Sequence, residues 1–199
     1  MRHGEKDGDA LTETGREQVR QATREYLADA GFFAALSSEM ERAHQTTRVA
    51  LGELGQGILM SHRDPGFGYL HADHDYPGEP IKDALARVKE LVAGGARETV
   101  RLWLDSWPVC RQIRGRFIEC LFKCAVLCTL NSVQVQGDEP IRILVGSHSP
   151  CSELAVLDPD NTLRLGLAGI VRYVVRVDTE TLAAELVGSG VVFQGFPEE

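Results

Sequence analysis

The sequence predicts an α/β layered fold. Two observations carry that reading. Stretches with apolar residues at helical spacing alternate with short apolar, β-branched runs. The chain has 199 residues, 43% of them hydrophobic, enough for one domain with a full core. The domain expected is therefore 1–199, with a variable and mainly helical segment at about 56–130.

The elements follow in order. Thr12 to Ala30 has Val19, Ala22, Tyr26 and Leu27 on one helical face, with Gly31 as a natural stop. A second helix is expected from Glu39 to Leu54. Ser38 and Glu41 form an S-x-x-E capping box at its start, and Gly55 ends it. Residues Ser61 to Glu79, interrupted by glycine and proline, read as a loop. Apolar spacing then marks a helix over Ile81 to Val92. A second covers Val100 to Trp107 beyond Gly94-Gly95, and a longer third runs over Ile113 to Cys128. Ile141 to Val145 and Ile170 to Val177 are expected strands, with a third at Val191 to Phe193. Ser149-Pro150 has the pattern of an N-cap with proline at the first helical position.

Composition narrows the function. The net charge of -8 argues against a nucleic-acid surface, which needs a basic face, and against docking on an anionic membrane. No apolar run approaches the roughly 20 residues of a membrane span, and the polar first residues carry no secretion signal. A cytoplasmic protein is expected. The five cysteines, an odd number with no C-x-x-C pair, read as free thiols in a reducing compartment.

Three separated pieces carry chemistry: Arg2-His3-Gly4-Glu5, the run Ser37 to Ala43 followed by Gln45-Thr46-Thr47, and Gly146-Ser147-His148-Ser149 after a strand. Phosphoryl transfer needs a nucleophile, cations for the phosphoryl oxygens and an acid for the leaving group. A neutral imidazole is a competent nucleophile, and arginine offers a planar fork of donors that fits phosphate. Arg42 falls in the first turn of its helix, where free backbone N–H groups also favour an anion. His148 stands between the end of a strand and a helix start, where open α/β sheets bind ligands.

These pieces resemble the histidine phosphatase superfamily, the phosphoglycerate-mutase-like family, in its branch 1. Arg2-His3-Gly4-Glu5 is similar to its opening signature, and Leu11-Thr12-Glu13-Thr14-Gly15 to the L-T-x-x-G that follows. Ser37 to Thr46 resembles its S-x-x-x-R-A-x-Q-T helix start, and Val145 to His148 its strand with a second histidine. The likeness covers roughly residues 1–55 and 141–176.

The resemblance implies a three-layer sandwich with a mostly parallel central sheet. It also implies a metal-independent, cofactor-free phosphatase acting through a phosphohistidine. By position, His3 is the nucleophile, and Arg2, Arg42 and His148 complete the phosphate pocket. The family's acid is a Glu four residues before a glycine that follows an aromatic. Here Phe67-Gly68 is the aromatic-glycine pair, and Asp64 stands where the Glu would be, with Glu79, Asp73 and Asp75 as alternatives. The expected partner is a phosphorylated small molecule or a phosphohistidine protein. Two other readings stay open: a phosphoglycerate-type mutase, and an inactive member that binds phosphate or a partner. Mutases of the family continue R-H-G-E with Ser and Asn, whereas Lys6 and Asp7 stand here.

Bland readings compete at other positions. His71-Ala72-Asp73-His74-Asp75 has metal-binding residue types but no helical H-x-x-x-H spacing, so a solvated acidic loop is the expectation and no metal is assigned. Cys120, Cys124 and Cys128 share a stripe with Phe117 and Leu121 and are expected in the core. Family members place an apolar strand just before R-H-G. Only Met1 precedes Arg2 here, so the first strand is expected to be missing or truncated and His3 to lie on a loose end.

Overall fold

A parallel three-stranded sheet runs through the middle of the molecule, seen in a computed structural model that describes residues 1–57, 60–68, 81–131 and 140–198. In chain order, a small hairpin of β1 (Lys6–Asp7) and β2 (Ala10–Leu11) leads into α1 (Glu13–Tyr26). Then come β3 (Ala34–Ser37), α2 (Glu41–Glu53), β4 (Met60–Arg63) and a 3-10 turn at Pro65–Phe67. Three helices follow: α3 (Ile81–Ala93), α4 (Val100–Ser106) and α5 (Val109–Asn131). The chain continues through β5 (Ile143–Gly146), the short α6 (Cys151–Leu154), β6 (Ile170–Val177) and β7 (Ala184–Phe193).

β3 lies between β4 and β5 and is parallel to both. Its pleat divides two apolar layers. Ala35 and its register partner Leu144 face one core, with Val19, Ala22, Ala50 and Leu51 of α1 and α2. Leu36 and its partner Val145 face the other, with Phe67, Trp103, Trp107, Ile113 and Phe117. The three-layer arrangement expected from the resemblance is therefore present, helices lying on both faces of the sheet. β6 and β7 form a separate antiparallel hairpin.

Several expectations are corrected. Ser61 to Arg63, read as loop, belongs to β4, and Val191 to Phe193 is the end of the ten-residue β7. β3 had no expected counterpart, because Ala-Ala-Leu-Ser has no β-branched residue and no alternation. All four residues are buried, as a central strand requires. α1 is shorter than expected: Thr12 caps it by accepting from the Gly15 N–H at 3.0 Å, and Leu27 closes it four residues before Gly31. The capping box at α2 does not form. The N-cap is Met40, and Ser38 lies two residues upstream with its hydroxyl turned elsewhere. Ser149 likewise does not cap α6, whose N-cap is Pro150; its hydroxyl donates to Glu153.

The chain's first residues are not a loose end. Met1, Arg2 and His3 are all buried and run beside β5, with a parallel bridge between Arg2 and Ser147. The Arg2 N–H donates to Gly169 O at 2.8 Å and the His3 N–H to Ser147 O at 3.2 Å. Ser147 and Ala168 donate back to the Met1 and His3 carbonyls. Backbone bonds on both sides hold His3 in place.

Cys120 and Cys128 are buried and Cys124 partly so; all five cysteines are free thiols. Burial pushes Cys120 up to about 11 and Cys124 up to about 12, so the stripe packs as core. Among the described residues no helix is long and apolar enough to cross a membrane.

Candidate active site

Four of the five residues singled out from the sequence meet at the carboxyl end of the parallel sheet. Arg2 and His3 come from the segment beside β5, Arg42 from the first turn of α2, and His148 from just beyond β5. Each is at most 5% exposed. The His3 and His148 ring centroids are 5.3 Å apart, with planes tilted by 58°. Residues 145 positions apart in sequence are therefore neighbours in space.

His3 Nδ1 lies 2.7 Å from Gly4 O. A carbonyl only accepts, so Nδ1 carries the proton and Nε2 keeps its lone pair. Burial first, then the charges of Arg2, Arg42 and Lys6, push the imidazole down to about 4 against the pull of the Gly4 bond. His3 is thus neutral at physiological pH, with Nε2 unprotonated.

His148 is fully buried, and Ser38 Oγ is 2.6 Å from its Nε2. Burial and the surrounding His3, Arg42 and Arg2 hold its pKa well below the usual histidine range. The hydroxyl read as a helix cap instead orients this ring. Ser147 Oγ donates to Phe67 O, which ties the strand end to the Pro65–Phe67 turn. A Cβ on Gly68 would stand 3.2 Å from Ser38 Cβ and 3.9 Å from the His148 ring. Gly68 therefore lies against the site, while Phe67 packs in the core.

The cations are engaged by groups that the sequence did not reveal. Arg42 Nη1 donates to Asp9 Oδ1 at 2.7 Å, and the Glu41 N–H donates to Asp9 Oδ2 at 3.1 Å. Arg2 donates to Leu165 O and pairs with Glu198, which also meets Arg164 at 3.2 Å. Partial burial works against the Glu198 charge, but Arg2 and Arg164 prevail and its pKa is lowered. Pairs 33 and 196 residues apart leave no local signal in a sequence.

Asp64 makes no hydrogen bond or ion pair with these four residues. Its Oδ1 accepts from the Gly66 N–H at 2.7 Å, capping the 3-10 turn, and lies 3.6 Å from Cys120 Sγ. Glu79, Asp73, Asp75 and the segment His71 to Asp75 lie outside the described residues. Among the described residues no three His, Cys, Asp or Glu side chains gather in a way that could hold a metal ion.

Behind the site, Glu153 is fully buried. It accepts from Ser149 Oγ, from Ser152 Oγ at 2.7 Å and from the Leu165 N–H at 3.1 Å. Burial raises its pKa against those three bonds.

Residues 1–68 match the family model described as the histidine phosphatase superfamily, branch 1. That first third of the chain is similar to histidine phosphatases. No curated protein matches the chain. Among solved structures, the chain is similar to one described as mycobacterial hydrolase 1. The TM-score is 0.56 and the identity 19%, over 93% of this chain and 94% of that one. It is also similar to a mycobacterial glucosyl-3-phosphoglycerate phosphatase (TM-score 0.53, 18% identity, 93% of each chain). A phosphoglycerate mutase from Bacillus anthracis matches with a TM-score of 0.54 and 19% identity, over 86% of this chain and 84% of that one. At these identities the likeness is one of fold, a phosphoglycerate-mutase-like α/β sandwich.

Proposed function

We propose that this chain is a phosphatase that works through a phosphohistidine on His3. The observation that carries the reading is the meeting of two arginines and two neutral histidines in one buried cluster at the end of a parallel sheet. His3 Nε2 attacks phosphorus in line: an N–P bond forms as the P–O ester bond breaks. Arg2 and Arg42 supply fixed positive charge for the phosphoryl oxygens, and His148 adds a hydrogen bond. Two guanidinium groups provide the charge that a metal would otherwise bring, so no metal or cofactor is assigned. The leaving oxygen takes a proton, a role we give to Asp64 as the acid four residues before Gly68. Water then attacks the phosphohistidine, releasing inorganic phosphate and restoring His3. The substrate class is a phosphomonoester or a phosphohistidine, on a small molecule or a protein.

The test is hydrolysis of an aryl phosphate in the presence of EDTA, with acid-labile phosphate trapped on the wild-type chain. His3→Ala is expected to abolish both turnover and labelling. Full turnover in that variant would overturn the mechanism.

A further inference from the structure

We infer that Asp9 is a resident anion of the phosphate pocket, so that a phosphoryl ligand binds by displacing its carboxylate from Arg42. This rests on the phosphatase reading of the site. One Asp9 oxygen takes an Arg42 N–H and the other takes the Glu41 backbone N–H at the start of α2. Two oxygens of one anion thus meet a guanidinium and a helix-start amide together, the donor pair that phosphate oxygens take.

Exposure decides which partner moves. The Arg42 side chain is 6% exposed and Asp9 is 53% exposed. Arg42 is fixed by its helix. Asp9 lies in the two-residue turn of the β1–β2 hairpin, beside Gly8, which adopts φ +57° and where a Cβ would meet nothing within 4 Å. Swinging Asp9 into water breaks two polar contacts and disturbs no core residue.

The consequence concerns affinity rather than chemistry. An internal competitor adds the same cost to every anion that must displace it, substrate and product phosphate alike. Inorganic phosphate would occupy the same donors as substrate, and Asp9 speeds its departure. A half-exposed ion pair is worth roughly a two- to fivefold change in affinity.

The experiment is calorimetric titration of inorganic phosphate, then vanadate, into the full chain as wild type, Asp9→Asn and Asp9→Glu. Asp9→Asn is expected to bind phosphate roughly two- to fivefold more tightly than wild type, and Asp9→Glu to remain near wild type. KM for an aryl phosphate should fall by the same factor in Asp9→Asn. If wild type binds phosphate and Asp9→Asn binds it equally or more weakly, Asp9 only tethers the hairpin to α2; the inference fails and the phosphatase reading stands. Absence of phosphate binding in wild type and Asp9→Asn alike overturns both.

Discussion

Burial and the neighbouring arginines push the His3 imidazole down from 6.5 to about 4, which links this residue to acid stability. In the unfolded chain a histidine protonates near its ordinary value, whereas folded His3 resists a proton. Between pH 6.5 and 4 the unfolded state binds more protons, so stability is full above that window and is lost as pH falls through it. The displacement corresponds to a loss on the order of 3 kcal/mol. Urea unfolding at pH 7 and pH 4.5 should show wild type losing roughly 2–3 kcal/mol more than His3→Gln. An equal loss in the two proteins would mean that His3 protonates freely in the folded state. Ser38 belongs at the same scale. Ser38→Ala removes the hydroxyl 2.6 Å from His148 Nε2 and should lower kcat on an aryl phosphate by about tenfold, the cost of misplacing one group in a transition state. Activity equal to wild type would leave His148 oriented by its packing alone. For Asp64, the expected signature of an acid is a penalty in Asp64→Asn that grows with leaving-group pKa. An equal loss on alkyl and aryl phosphates would assign Asp64 only to its turn. The sequence made Arg2, His3, Arg42 and His148 legible because their neighbours form ordered motifs. Ser38 was misread because S-x-x-E fits a capping box as well as it fits a pocket.

At the scale of elements, two glycines set how closely the first segment lies against α1. A Cβ on Gly4 would stand 2.3 Å from Gly15 O, and one on Gly15 would stand 2.0 Å from Glu5 O. The L-T-x-x-G stretch is thus a packing requirement: the start of α1 touches the segment that carries His3, backbone to backbone. Gly15→Ala must push these apart; under the proposed mechanism, about 1 Å of displacement at His3 costs on the order of a hundredfold in rate. The check is kcat together with the thermal midpoint, and a variant with the rate of wild type would show that the contact does not position His3. Gly146 plays a similar part, since a Cβ there would meet Ala43 O of α2 at 2.4 Å. The helices with strong apolar periodicity were legible. β3 and β4 were not, because a strand buried on both faces needs no alternation, and β4 ends in Ser-His-Arg. Glu153→Ala should strip three buried donors of their acceptor and cost about 3 kcal/mol or more, read as a lower urea midpoint. A change under about 1 kcal/mol would mean that those donors find water or each other.

At the scale of the whole molecule, the sheet separates two cores that the chain fills at different stages. α1 and α2 cover one face, while α4, α5 and the Pro65–Phe67 turn cover the other. β5 binds the halves together, pairing with β3 on one side and taking the bridge from Arg2 on the other. That position gives the chain a timetable during synthesis. Arg2, His3, Ser38 and Arg42 leave the ribosome early. The groups that hold them in register, Gly146 O for Ser38, Ser147 O for His3 and Gly169 O for Arg2, are translated more than a hundred residues later. A nascent chain stopped before Ile143 already carries His3 and both arginines, yet lacks the backbone acceptors that Arg2, His3 and Ser38 bond in the finished fold. Competence for phosphate should therefore arrive in a single late step, once residue 169 has emerged, rather than grow with the length of the chain.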